Sequence, residues 1–113
     1  MNGEALVLVD VNGVIRLWSD GAERAFGYSA SEAVGQTLDL IVPPEYREAH
    51  WNGFHRAVAS GAASAEGNAV VFPARHATGD VIERRGRLTL IRRPQAEVVA
   101  AVVVFEYPRD TQE

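Results

Sequence analysis

The sequence predicts an α+β fold built on an antiparallel sheet. Three observations carry this. Two β-rich runs at the start are broken by Asn12-Gly13. A helical middle follows, punctuated by Ser29-Ala30-Ser31-Glu32 and Pro43-Pro44-Glu45. Three β-rich runs complete the chain, the last almost continuously apolar from Val98 to Phe105. Strands, then helices, then strands with short turns suit an antiparallel sheet better than alternating parallel units.

Each element has a local cause. Residues 5–10 and 14–18 are β-rich and flank Asn12-Gly13, whose residues tolerate the positive φ of a tight hairpin turn. Ala22, Ala25 and Phe26 form one face of a short helix that Gly27 ends. Ser29 and Glu32 fit a capping box, each satisfying the other's free amide donor, and Gly35 stops that helix. Residues 37–42 are short and apolar, ambiguous between strand and helical turn. Pro43-Pro44-Glu45 opens a longer helix over 44–60, because proline suits the first turn and an acid suits the helix dipole there. Tyr46, His50, Phe54, Ala57 and Val58 make its apolar stripe. Residues 66–74, 81–92 and 97–106 are the later strands, separated by turns at Thr78-Gly79-Asp80 and Pro94-Gln95.

Composition excludes several classes of function. The 113 residues suffice for one domain. With 47% hydrophobic and 23% charged residues, the chain falls in the globular range and not the disordered one. Eleven basic residues against fifteen acidic ones give a net charge of −4, so no basic footprint for nucleic acid exists. The absence of cysteine excludes disulfides, thiolate metal sites and cysteine nucleophiles. The longest apolar run is far short of the ~20 residues of a membrane helix. No secretory signal is visible at the start, so the expected location is the cytoplasm or the cytoplasmic part of something larger. The sequence contains no phosphate loop of the G-x-x-x-x-G-K-[ST] type and no G-x-S-x-G nucleophile elbow, and the chain is not expected to be an enzyme.

His50 is the most informative side chain. Its spacing places it on the stripe of Tyr46 and Phe54, facing the sheet. A buried imidazole needs a partner, since an unsatisfied polar group costs about 1–3 kcal/mol. Haem iron is one such partner, and a backbone carbonyl or water is another. His55 lies about 140° further round the helix, so the two imidazoles cannot share a metal. His55 is expected at the surface, His76 in a solvated turn, and Trp51 in structural packing.

The words Val9-Asp10-Val11-Asn12-Gly13-Val14-Ile15, Trp18 to Tyr28, Ser31-Glu32-Ala33-Val34-Gly35, Ile41-Val42-Pro43 and Arg75 to Asp80 stand in the order of the PAS sensor family, which the chain resembles over about residues 5–107. The whole of residues 1–113 is read as a single PAS domain, without an effector. Arg109-Asp110-Thr111 faintly echoes the motif that often ends such domains. The resemblance implies a five-stranded antiparallel sheet of order 2-1-5-4-3 with helices on one face. It also implies a ligand cavity between the sheet and the long helix, and a sensing or contact role.

The run Pro43 to His50 further resembles haem-binding PAS domains of the FixL type, which place the proximal histidine there. The resemblance implies haem b on His50, with Tyr46 and Phe54 beside it and Arg56 near the propionates. Leu88 and Leu90 would then face the macrocycle, with Asn68 and Val70 at the distal positions. An apolar distal side favours carbon monoxide or nitric oxide over stable oxygen binding. Photochemistry of the flavin type that needs a reactive cysteine is excluded.

Helices on one face leave the other open. Either Val99, Ala101, Val103 and Phe105, or Val98, Ala100, Val102 and Val104, must then be covered, which implies a homodimer or a partner element on the outer sheet face. Two functions follow as expectations. One is a ligand-binding sensor that passes its signal to a downstream protein. The other is a haem-free module for dimerisation and protein contact.

Overall fold

The computed structural model describes residues 2–95 and 97–108, so Arg109-Asp110-Thr111 lies outside the described residues. Five strands, β1 (Asn2–Asp10), β2 (Ile15–Trp18), β3 (Ala69–Arg75), β4 (Val81–Arg92) and β5 (Val98–Pro108), form one antiparallel sheet. Their order is β2-β1-β5-β4-β3, as the family resemblance implies. Between β2 and β3 lie α1 (Asp20–Phe26), α2 (Ala30–Ala33) and α3 (Arg47–Ser60), with 3-10 turns at Leu38–Leu40 and Pro44–Tyr46. The ambiguous 37–42 segment is thus a helical turn, and the predicted helix over 44–60 begins as a 3-10 turn. The predicted strand over 66–74 starts only at Ala69.

Capping chemistry fixes the short helices. The Ser19 hydroxyl accepts from Ala22 N–H at the start of α1 and from Leu6 N–H of β1, which ties helix to sheet. Gly27 ends α1 at φ 85°, a conformation in which glycine avoids Cβ strain. Ser29 and Glu32 form the expected capping box at α2.

Register sorts the strands into two faces. Val7 pairs with Val103, Val9 with Ala101, Leu88 with Val103 and Leu90 with Ala101. These residues share the inner face with Ala5 and Phe105. Leu6, Leu8, Thr89, Ala100, Val102 and Val104 take the outer face, because alternate residues of a strand point oppositely. Of the two sets left open on the last strand, Ala101, Val103 and Phe105 therefore turn inward. The pairing slips between Ile91 and Arg92, so Val99 is an extra residue and Val98 returns to a buried position.

The core sits under α1. Phe26 packs against Trp18 and edge-on against Phe105, with centroids 5.6 and 5.1 Å apart. Phe105 continues to Phe72 at 5.7 Å. Trp18 is buried and donates its indole N–H to the Tyr28 carbonyl at 2.8 Å, so it serves packing, not an exposed contact. Such aromatic contacts contribute about 0.5–1.5 kcal/mol each beyond area burial.

Gly21 shows how closely α1 lies on β1. A Cβ built there would fall 1.8 Å from the Glu4 carbonyl oxygen. Alanine normally stabilises a helix interior over glycine by about 1 kcal/mol. Here the clash outweighs that gain, and Gly21→Ala is expected to lower stability by about 1–3 kcal/mol. Urea denaturation checks the sign: a variant as stable as the parent would contradict this packing.

Candidate ligand-binding site

A cavity of about 580 Å³ separates α3 from the inner sheet face. Its volume lies in the ~300–1,000 Å³ range of small-molecule sites. The floor is wholly apolar: Val7 and Val9 from β1, Phe72 from β3, Leu88 and Leu90 from β4, and Ala101, Val103 and Phe105 from β5. His50, Gly53, Phe54, Arg56 and Ala57 of α3 form the opposite wall. Residues 62–65, all alanine or serine, close one end.

The first turns of α3 are pinned by polar bonds and one close contact. Arg47 donates to the carbonyls of Val42 and Asp39, each at 3.1 Å. The Trp51 indole N–H donates to the Asp39 carboxylate at 2.7 Å. Its ring lies over Gly13 in the β1–β2 turn, where a Cβ would come within 2.2 Å of it. Gly13 thus serves twice, by its φ of 77° and by making room for Trp51.

The far end is held by a latch. Beyond Arg87, β4 has no β3 partner, and residues 61–67 cover that edge instead. Gly67 N–H donates to the Leu88 carbonyl, and the Glu66 carboxylate accepts from Leu90 N–H at 2.9 Å. Arg92 grips both ends of the segment, binding the Gly61 carbonyl at 3.0 Å and both oxygens of Glu66. The guanidinium and Leu90 N–H hold the Glu66 carboxyl below the usual carboxylate range, and Glu66 raises Arg92 in return. The cavity's end wall is therefore an Ala/Ser segment clamped to the edge of β4.

His50 is half-buried at the cavity wall, its ring centroid 5.0 Å from Trp51 and 6.1 Å from Phe54. Its Nδ1 is buried and has no hydrogen-bond partner. Burial pushes its pKa below the ordinary 6.5; the Asp39 charge opposes this and His55 adds to it. The imidazole is therefore neutral at neutral pH. Arg56 lines the same cavity from an exposed position and has no ion-pair or hydrogen-bond partner among the described residues.

Of the residues singled out in the sequence, His50, Phe54, Arg56, Leu88 and Leu90 meet around this cavity. Three do not. Tyr46 is 47% exposed. It belongs to the 3-10 turn before α3, where each residue advances about 120° and the helical stripe cannot be extended backwards. Asn68 is exposed, because it ends a turn closed by its own N–H to the Ala65 carbonyl. Val70 shares the inner face with Phe72 but does not reach the cavity; Phe72 is the β3 residue that does. His55 is exposed and stacks on Trp51 at 5.7 Å. His76 is half-buried in an exposed turn: its Nδ1 meets Thr78, and its ring lies against Gly27. Sequence reasoning put Ala57 on the inward stripe but missed Gly53 and residues 62–65. The Gly61 and Gly67 pair bounding an Ala/Ser run is the signal that would have found the last of these.

The domain is an antiparallel α+β fold whose long helix bridges a cavity over the sheet. A family model described as the PAS fold matches residues 2–106, and the chain belongs to the PAS family. Solved structures agree. A PAS domain from Colwellia psychrerythraea superposes with a TM-score of 0.76 at 22% identity, covering 97% of this chain and 88% of that one. The PAS domain of the quorum-sensing receptor RpfR from Cronobacter turicensis, in complex with C12:0, does so at 0.71 with 16% identity and 90% of both chains. Forty-seven residues, 42% of this chain, are 40% identical to Sensor protein FixL of Bradyrhizobium diazoefficiens. That match spans 9% of FixL. No helix among the described residues is long and apolar enough to cross a membrane.

The depressed His50 pKa has a stability consequence. The unfolded chain, with the higher pKa, takes up a proton first as pH falls. This contribution to stability is complete above pH 6.5 and is lost as the pH drops below it. The pH dependence of thermal unfolding between about pH 7.5 and 5 is expected to flatten in His50→Leu. Parallel profiles for the two proteins would show that His50 is not desolvated.

Proposed function

We propose that this PAS domain is a sensor whose cavity takes haem b with His50 as the axial ligand. The observation behind this reading is His50 itself. It is a neutral imidazole lining an apolar cavity, and with Nδ1 shut off from open space Nε2 is the nitrogen that would meet an iron. The residues present suit the group. The cavity floor carries no polar side chain, and Arg56 is free to meet a propionate carboxylate. The FixL-type spacing from Pro43 to His50, with Arg56 six residues on, supports the same reading.

Bound haem supplies an iron that takes up a diatomic gas or an electron. The chain's own residues do the rest. His50 offers a lone pair without first losing a proton. Leu88, Leu90 and Val103 exclude water from the sheet side. Because no strand residue lining the cavity donates a hydrogen bond, carbon monoxide or nitric oxide is favoured over oxygen. Ligand arrival alters packing between α3 and the sheet, and the sheet carries the change to a downstream signalling partner.

Protein expressed with added haem precursor is expected to show a strong Soret band that shifts with dithionite and is lost in His50→Ala. A flat visible spectrum after haemin titration, or an unchanged one in His50→Ala, would overturn the assignment.

A second reading is favoured by the outer sheet face. Leu6, Leu8, Val102 and Val104 are only half-buried there, and Leu17 beside them is 45% exposed. Such a face suits a homodimer or a partner protein. Val102 points outward, while Val103 lines the cavity. Val102→Asp is therefore expected to reduce the oligomer size in light scattering, and the isosteric Val103→Thr to leave it unchanged. A monomeric parent would remove the dimer reading.

A further inference from the structure

Gly53 stands in the middle of α3, where glycine weakens a helix relative to alanine. The protein itself supplies no reason for it. Gly13 makes room for Trp51, and Gly21 for the Glu4 carbonyl. Beyond its chain neighbours and the helix's own backbone, a Cβ at Gly53 would meet nothing within 4 Å, and its φ is not in the left-handed region. Its place on the cavity wall, one turn after His50 and one turn before Ala57, directs the missing side chain into the cavity.

We infer that Gly53 is a specificity-determining residue of this cavity, leaving the α3 backbone bare so that a thin apolar ligand can lie against it beside His50. The inference rests on the reading of the cavity as a small-molecule site. The ligand chemistry it selects is a flat or slender apolar body with a carboxylate for Arg56. A planar macrocycle and an acyl chain both have that shape. A branched or globular ligand gains nothing from a bare helix surface. Glycine is the residue that permits such close approach of a ligand to backbone.

The test uses two probes, haemin and dodecanoate, on the parent, Gly53→Ala, Gly53→Leu and His50→Ala. Ligand-free Gly53→Ala is expected to melt a few degrees higher, since the methyl group clashes with nothing outside its own helix and favours the helix. Whichever probe the parent binds is expected to bind more weakly to Gly53→Ala, and at least about tenfold more weakly to Gly53→Leu. Circular dichroism establishes that both variants fold; if the leucine variant does not, the alanine variant decides alone. Unchanged affinity in a folded Gly53 variant overturns the inference, as does a lower melting temperature for Gly53→Ala. Loss of haemin in His50→Ala, with full binding in the Gly53 variants, removes this inference and keeps the haem reading. Dodecanoate binding without haemin binding removes the haem reading and leaves Gly53 to be judged on dodecanoate. A parent that binds neither probe removes both.

Discussion

The constraint on which this domain turns is that α3 is held by its ends. Arg47 and Trp51 pin its first turns to Asp39, Val42 and the Gly13 corner. Arg92 and Glu66 clamp the chain just beyond its last residue to the edge of β4. Between those points the helix bridges the sheet and does not lie on it. A helix packed along its length on a sheet fills the space between them with close-packed side chains and leaves no room for a ligand. Here the polar anchors carry that load, and the interior stays hollow.

The same arrangement sets the electrostatics. The apolar floor and the half-burial of α3's inner side make charge costly there, so His50 is neutral and its Nδ1 has no partner. Two arginines divide the remaining work. Arg92 is committed to Glu66 and holds the wall, whereas Arg56 keeps its guanidinium available at the cavity. Charge-assisted bonds such as the Arg92 clasp are about twice as strong as neutral ones, which suits a short segment with little apolar area of its own. Its alanines and serines cannot hold it by burial.

Much of this was legible in the sequence. β-Rich runs, the Asn12-Gly13 turn and the Ser29/Glu32 box identified strands, hairpin and capped helix, because each depends on neighbours a few residues apart. His50 and Phe54 meet at the cavity because helical spacing projects reliably over a turn, whereas Arg56, Leu88 and Leu90 were expected there from the family resemblance. Tyr46 failed where that periodicity broke in a 3-10 turn. Asn68 and Val70 failed because the strand begins late, residues 61–67 having taken over the edge of β4. No local pattern announces that Glu66 will cap Leu90, a residue 24 positions away.

The sequence by itself determined the α+β class, the candidate imidazole and the element types other than residues 37–42, since these follow from propensity, spacing and capping within a turn or two of chain. It left open which face of the last strand turns inward. Only the tertiary structure decided that, because an almost continuous apolar run carries no alternation to read, while pairing with β1 and β4 assigns every residue a side. The hollow beneath α3 was likewise a tertiary decision. A cavity is the space that packing leaves, and its existence depends on long-range bonds at both ends of a helix whose own residues would bury equally well against a sheet.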